Sequence, residues 1–156
     1  MIHQTRRHDA IAQRCQSIST ITQYDHMSKN KPKHGQFYWT DLTVDKPTEL
    51  KEFYKTLFGW QEIGVAMEDG EESYEDYAMA VDTETPGGGI CTHRGVNSGI
   101  PPQWIPYFFV NDVKESLSTC LQLGGILLKD SKKKDGSFNY VIVKDPQGTV
   151  FGMGNM

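Results

Sequence analysis

One pattern of strand, helix and three strands occurs twice in this chain, about 66 residues apart. A unit of that size repeated within 156 residues restricts the fold to an α+β duplication. In the first copy, FYWTDLTV alternates in polarity along residues 37–44, with Leu42 and Val44 on one face and Trp39, Asp41 and Thr43 on the other. A period of two predicts a strand with one face on a core. Pro47 is suited to a first helical turn. Leu50, Phe53, Tyr54 and Leu57 then recur at i, i+3, i+4 and i+7, the stripe of an amphipathic helix that Gly59 would end. Three strands are predicted after it, at 61–67, 74–81 and 88–92, with a charged turn at 68–72.

The second copy opens with an aromatic strand at 104–110. Asp112 and Glu115 have the spacing of a capping box, and Leu117, Cys120, Leu121 and Gly124 repeat the helical stripe. Strands are predicted at 126–129, 138–144 and 150–153. Asp145, Pro146 and Gly148 match the Asp, Pro and Gly positions of a type I turn. Residues 93–103, rich in Gly, Asn, Ser and Pro, read as the linker. The expected fold is βαβββ-linker-βαβββ, with halves at about 35–92 and 104–156.

Residues 1–34 read differently. They hold six basic and two acidic residues, a net of +4, and little that could be buried, so they are expected to be a disordered tail or a mis-called start. The remaining 122 residues hold ten basic against eighteen acidic, a net of −8, which repels a phosphate backbone and excludes nucleic acid as an expected partner. No apolar run approaches the roughly 20 residues of a membrane span. Cys15, Cys91 and Cys120 are odd in number and far apart, so neither a disulfide framework nor a zinc knuckle follows, and a reducing cytoplasm is the expected location. Cys120, on the helical stripe, is expected to be a buried structural thiol. The triple lysine at 132–134 reads as a solvated loop.

Several strings within 35–156, namely FYWTDLTV, KPTELKEFYKTLFGW, GGGI, WIPYFFVNDVKE, LGG and VIVKDPQGTVFGM, together resemble the vicinal oxygen chelate superfamily. That group includes glyoxalases, extradiol dioxygenases, and fosfomycin and bleomycin resistance proteins. The likeness is nearest to its glyoxalase-related branch of unknown substrate. It implies that each half curls into a partly open barrel or sheet with a concave cleft for a small molecule, and that the protein is a homodimer.

Enzymes of this superfamily hold a divalent metal (Fe, Mn, Ni or Zn) with His and Glu side chains, and the metal acts as a Lewis acid on two adjacent substrate oxygens. By the resemblance, the ligand places fall at Trp39, Ile105, Gly152 and near Gly89 or Cys91. None of the three clearer places is a donor, and slipping a strand by one residue moves the side chain to the other face. No metal or other cofactor is therefore expected; Asp41 and His93, with Cys91, are the stray candidates.

Period-two reasoning assigns Trp39, Asp41, Thr43, Ile105, Tyr107, Phe109 and Gly152 to the cleft, an aromatic wall with one carboxylate. Phe108, Val110, Phe151 and Met153 would face the helix. Three functions stay open. The first is a metal-free protein that binds a small organic ligand. The second is a metal-dependent lyase, isomerase or dioxygenase with displaced ligands. The third is a partner-binding dimer whose aromatics fill the cleft.

Overall fold

The computed structural model describes residues 31–83 and 85–155. The expectations for the first 30 residues, including Cys15, lie outside that range. The chain forms two compact units, one within 41–103 and one combining 31–40 with the chain from Trp104 onward. Among the described residues, eight strands and two helices occur in the order β1 Phe37–Val44, α1 Pro47–Phe58, β2 Gln61–Asp69, β3 Glu72–Ala80, β4 Pro86–Thr92, β5 Trp104–Phe109, α2 Val113–Gln122, β6 Ile126–Lys132, β7 Phe138–Lys144 and β8 Val150–Gly154. The fold is α+β, and each half is a βαβββ unit. The strand order is β2-β3-β4-β1 in the first half and β5-β8-β7-β6 in the second.

Local chemistry explains the element ends. Pro47 opens α1, and Gly59 closes it with a left-handed φ of +69°, where its N–H donates to Lys55 O. The Asp112 side chain caps α2 by accepting from the Glu115 N–H at 2.8 Å. Asp145 Oδ1 accepts the N–H groups of Gln147 and Thr149, and the Gly148 N–H donates to Asp145 O, closing the turn into β8. The linker contains one short 3₁₀ turn, Gly95–Asn97.

In the first unit, Leu42, Tyr77, Met79 and Ile90 are buried. The helical stripe does not meet that core as the sequence predicts. Phe53 and Leu57 are each 58% exposed, whereas Lys51 is buried. The cause is Tyr77: Lys51 Nζ lies 4.0 Å from its ring centroid, Thr48 Oγ1 lies 3.1 Å from its hydroxyl, and Lys51 Nζ donates to Glu62 Oε1 at 2.8 Å. A lysine stem over an aromatic ring, with its head paired, rotates the helix away from its apolar stripe. Tyr54, Phe58 and Trp60 instead pack on one another, with centroids 5.0–5.9 Å apart. The Trp60 ring lies where a side chain on Gly87 would stand.

In the second unit, Val110, Val113, Leu117, Val141, Val143 and Met153 form the core under α2, with Cys120 and Phe151 packed against it. Cys120 is half-buried, not fully enclosed, and Leu121 is 47% exposed.

Candidate functional site

The face of the first unit away from α1 is organised by β3. Tyr77 points to α1, so its neighbour Asp76 projects to the opposite face. Registers place Asp41 beside Gly89 and Thr43 beside Cys91 in the parallel β1–β4 pair, with Ala78 beside Gly89 on β3. The Asp41 carboxylate lies over Gly89, in the space a Cβ there would need, and Cys91 Sγ borders the same space. Asp76, 1% exposed, accepts the Thr92 N–H at 2.7 Å and the Thr92 hydroxyl at 2.8 Å, both on Oδ1. Its Oδ2 is buried with no hydrogen-bond partner. Burial pushes this carboxyl above its ordinary range, against the pull of the two Thr92 bonds. Sequence reasoning missed Asp76; the available signal was the alternation of Tyr74, Asp76 and Ala78 against Tyr77.

The face of the second unit away from α2 is aromatic. Registers set Gly152 between Tyr107 and Ile142, and Tyr140 beside Gly154. The Tyr107 ring covers Gly152 so closely that a Cβ there would overlap it. Tyr107 packs edge-on to Tyr140 at 5.8 Å and to Tyr38 at 6.5 Å, and the Tyr38 hydroxyl lies over Gly154. Ile105, Tyr107 and Phe109 are all buried, while Tyr38 and Tyr140 are half-buried. Lys31 Nζ lies 5.4 Å from the Phe109 centroid.

The seven expected cleft residues thus divide. Asp41 and Thr43 belong to the first unit; Ile105, Tyr107, Phe109 and Gly152 share the aromatic face of the second. Trp39 does not join that face. Its neighbour Tyr38 is the β1 ring that meets Tyr107, and adjacent residues of a strand point to opposite sides. Tyr38 and Tyr140 are the members that sequence reasoning missed, because which parity of β1 faces Tyr107 is decided by the neighbouring strand.

The donor set does not fit a chelated metal. The three clearer places implied for ligands carry an indole, an aliphatic chain and a glycine roofed by a phenol ring; the fourth falls near Gly89 or Cys91. Among the described residues, no group of three or more His, Cys, Asp or Glu side chains could hold a metal ion. The stray combination of Asp41, His93 and Cys91 is not assembled. Both His93 ring nitrogens are engaged in the linker, with Nδ1 3.0 Å from Asp45 Oδ1 and Nε2 accepting the Gly99 N–H at 2.9 Å.

A separate cavity of about 510 Å³ lies on the α2 side of the second unit, lined among others by Val110, Cys120, Phe151 and Met153, with His34 at its border. His34 Nδ1 accepts the Asn111 N–H at 3.2 Å. Burial, and secondarily the charge of Asp145, raises the Cys120 thiol above its ordinary range, which makes it a poor nucleophile.

No family model matches the sequence. The candidate glyoxylase CFP32, from Mycobacterium bovis and from Mycobacterium tuberculosis, is 25% identical over 119 residues, covering 76% of this chain and 43% of the relative. The chain therefore spans less than half the length of these curated relatives. Similar solved structures include a methylmalonyl-CoA epimerase from Streptomyces coelicolor, at 10% identity and a TM-score of 0.48 over 79% of this chain and 98% of that one. Another is a glyoxalase/bleomycin resistance protein/dioxygenase superfamily member from Vibrio splendidus 12B01, at 14% identity and a TM-score of 0.49 over 78% and 100%. Among the described residues, no helix is long and apolar enough to cross a membrane. The chain is thus similar, over 76% of its length, to curated mycobacterial proteins named as glyoxylases.

Proposed function

We propose that this protein binds a small organic molecule on the aromatic face of its second unit, without a chelated cation. One observation carries the reading: Gly152, where the superfamily implies a chelating side chain, lies under the Tyr107 ring, flanked by Tyr38 and Tyr140. Phenol rings offer flat apolar surface with hydroxyls at the rim, which suits a planar ligand bearing a polar group. The glyoxylase name of the relatives describes longer proteins, of which the matched segment is 43%. A metal-dependent lyase, isomerase or dioxygenase reaction would need donors that these positions lack. A reducing cytoplasm, expected from the number and spacing of the cysteines, and the homodimer implied by the resemblance belong to the same proposal.

A panel of planar phenols, aromatic acids and heterocycles, scored by melting temperature, tests it. At least one compound is expected to stabilise the protein saturably, by about 2.7 kcal/mol at a hundred times its Kd. Tyr38→Ala, a half-buried position, is expected to lose that response while still melting cooperatively. A panel without any stabilising compound, or a response that survives Tyr38→Ala intact, would overturn the reading.

A further inference from the structure

The first unit holds a second candidate site that the aromatic face does not use. Asp76 Oδ2 is an acceptor sealed from water and met by no donor of the described chain. Its partner oxygen already takes both Thr92 donors, so the carboxylate is clamped in one orientation, with Oδ2 as the open valence. The four Lys and Arg side chains of residues 41–103 are paired elsewhere: Lys46 with Glu49, Lys51 with Glu62, Lys55 with Glu52 and Glu62, and Arg94 with Asp69 and Glu72. None of them serves Asp76.

The surroundings are small and electron-rich. Ala78 and Gly89 lie side by side next along the face, the Asp41 carboxylate leans over Gly89, and Cys91 Sγ borders that space. Ala78 and Asp41 are only half-buried, so solvent reaches this end. The other end is capped by the linker: the Arg94 guanidinium lies 4.9 Å from the Tyr74 ring centroid, and Gly95 abuts Asp69 and Tyr74.

We propose that this face takes an organic ammonium group, entering past Ala78 and Gly89 and donating N–H to Asp76 Oδ2, with Asp41 adding negative charge at the entrance. A charged donor is favoured over a neutral one because a buried carboxylate gains most from a charge-assisted bond. An anion would meet two carboxylates.

The experiment uses the intact chain and n-butylamine, n-butanol and butyrate as probes of one shape, followed through the backbone amide signals of Asp76, Cys91 and Thr92. Butylamine is expected to shift these signals saturably and to bind at least tenfold more tightly than butanol, with butyrate inert. Asp76→Asn, which keeps the shape and the acceptor for Thr92, is expected to weaken butylamine tenfold or more. Three results would each overturn the proposal: equal binding of amine and alcohol, unchanged affinity in Asp76→Asn, or no shift at Thr92 up to tens of millimolar amine. Should Asp76→Asn fail to fold, the comparison of amine with alcohol on the natural chain decides alone. The outcome is independent of the aromatic face, which lies in the other unit and is read with different probes.

Discussion

Gly152→Val is expected to lower folding stability by about 3 kcal/mol, the upper part of the usual range for overpacking a filled interior. The Tyr107 ring occupies the space that a side chain at 152 would need. That ring has no easy retreat: it is buried, and it is wedged edge-on between Tyr38 and Tyr140. Parallel pairing of Tyr107 with Gly152 keeps the two backbones side by side, so the strain cannot be relieved by sliding one strand. The claim has an internal control. In a Tyr107→Ala background the same valine should cost almost nothing, because the cavity left by the phenol accepts it. Thermal or urea unfolding of the four proteins of this cycle gives the coupling directly. Additive penalties would show that the ring is not what forbids a side chain there.

Asp76→Asn is expected to do the reverse and stabilise the protein near neutral pH, by about 1 kcal/mol, since it removes a buried charge while leaving its own amide N–H unmet. The sign follows from linkage. Burial raises the Asp76 carboxyl in the folded state above its unfolded value, so the folded protein binds the proton more readily. Its contribution to stability is therefore complete below the ordinary carboxylate range and is lost as pH rises through the raised folded value. The asparagine variant lacks this loss. Its advantage should be largest above the folded value and should shrink towards zero as pH falls into the ordinary range. Melting temperatures of the two proteins across that window check the direction. An advantage that grew on acidification would mean that the Thr92 hydrogen bonds outweigh burial.

The ends of the elements were legible in the sequence because each depends on a few neighbouring residues. Pro47, Gly59, Asp112 and the Asp145–Gly148 turn act where they were read. So did the assignment of Val110, Phe151 and Met153 to the α2 core. The rotation of α1 was not legible, since it turns on a tyrosine in β3 whose hydroxyl and ring attract Thr48 and Lys51. Nothing within residues 47–58 announces that partner. The site was legible by half for a related reason. Alternation groups Ile105, Tyr107 and Phe109 because all three lie on one strand. It could not say whether Tyr38 or Trp39 meets them, since parity within a strand carries no information about the strand beside it. Asp76 sits between Glu75 and Tyr77 in a polar stretch, where alternation against Tyr77 gives its face but not its burial.

Native mass spectrometry of the freshly purified chain, before and after incubation with iron, manganese, nickel and zinc, bears on the reading most directly. The bare mass, or the mass plus an organic ligand, is the predicted result under every condition. One divalent ion retained per chain through desalting would contradict it, for the positions of Trp39, Ile105 and Gly152 would then not be the ones that matter.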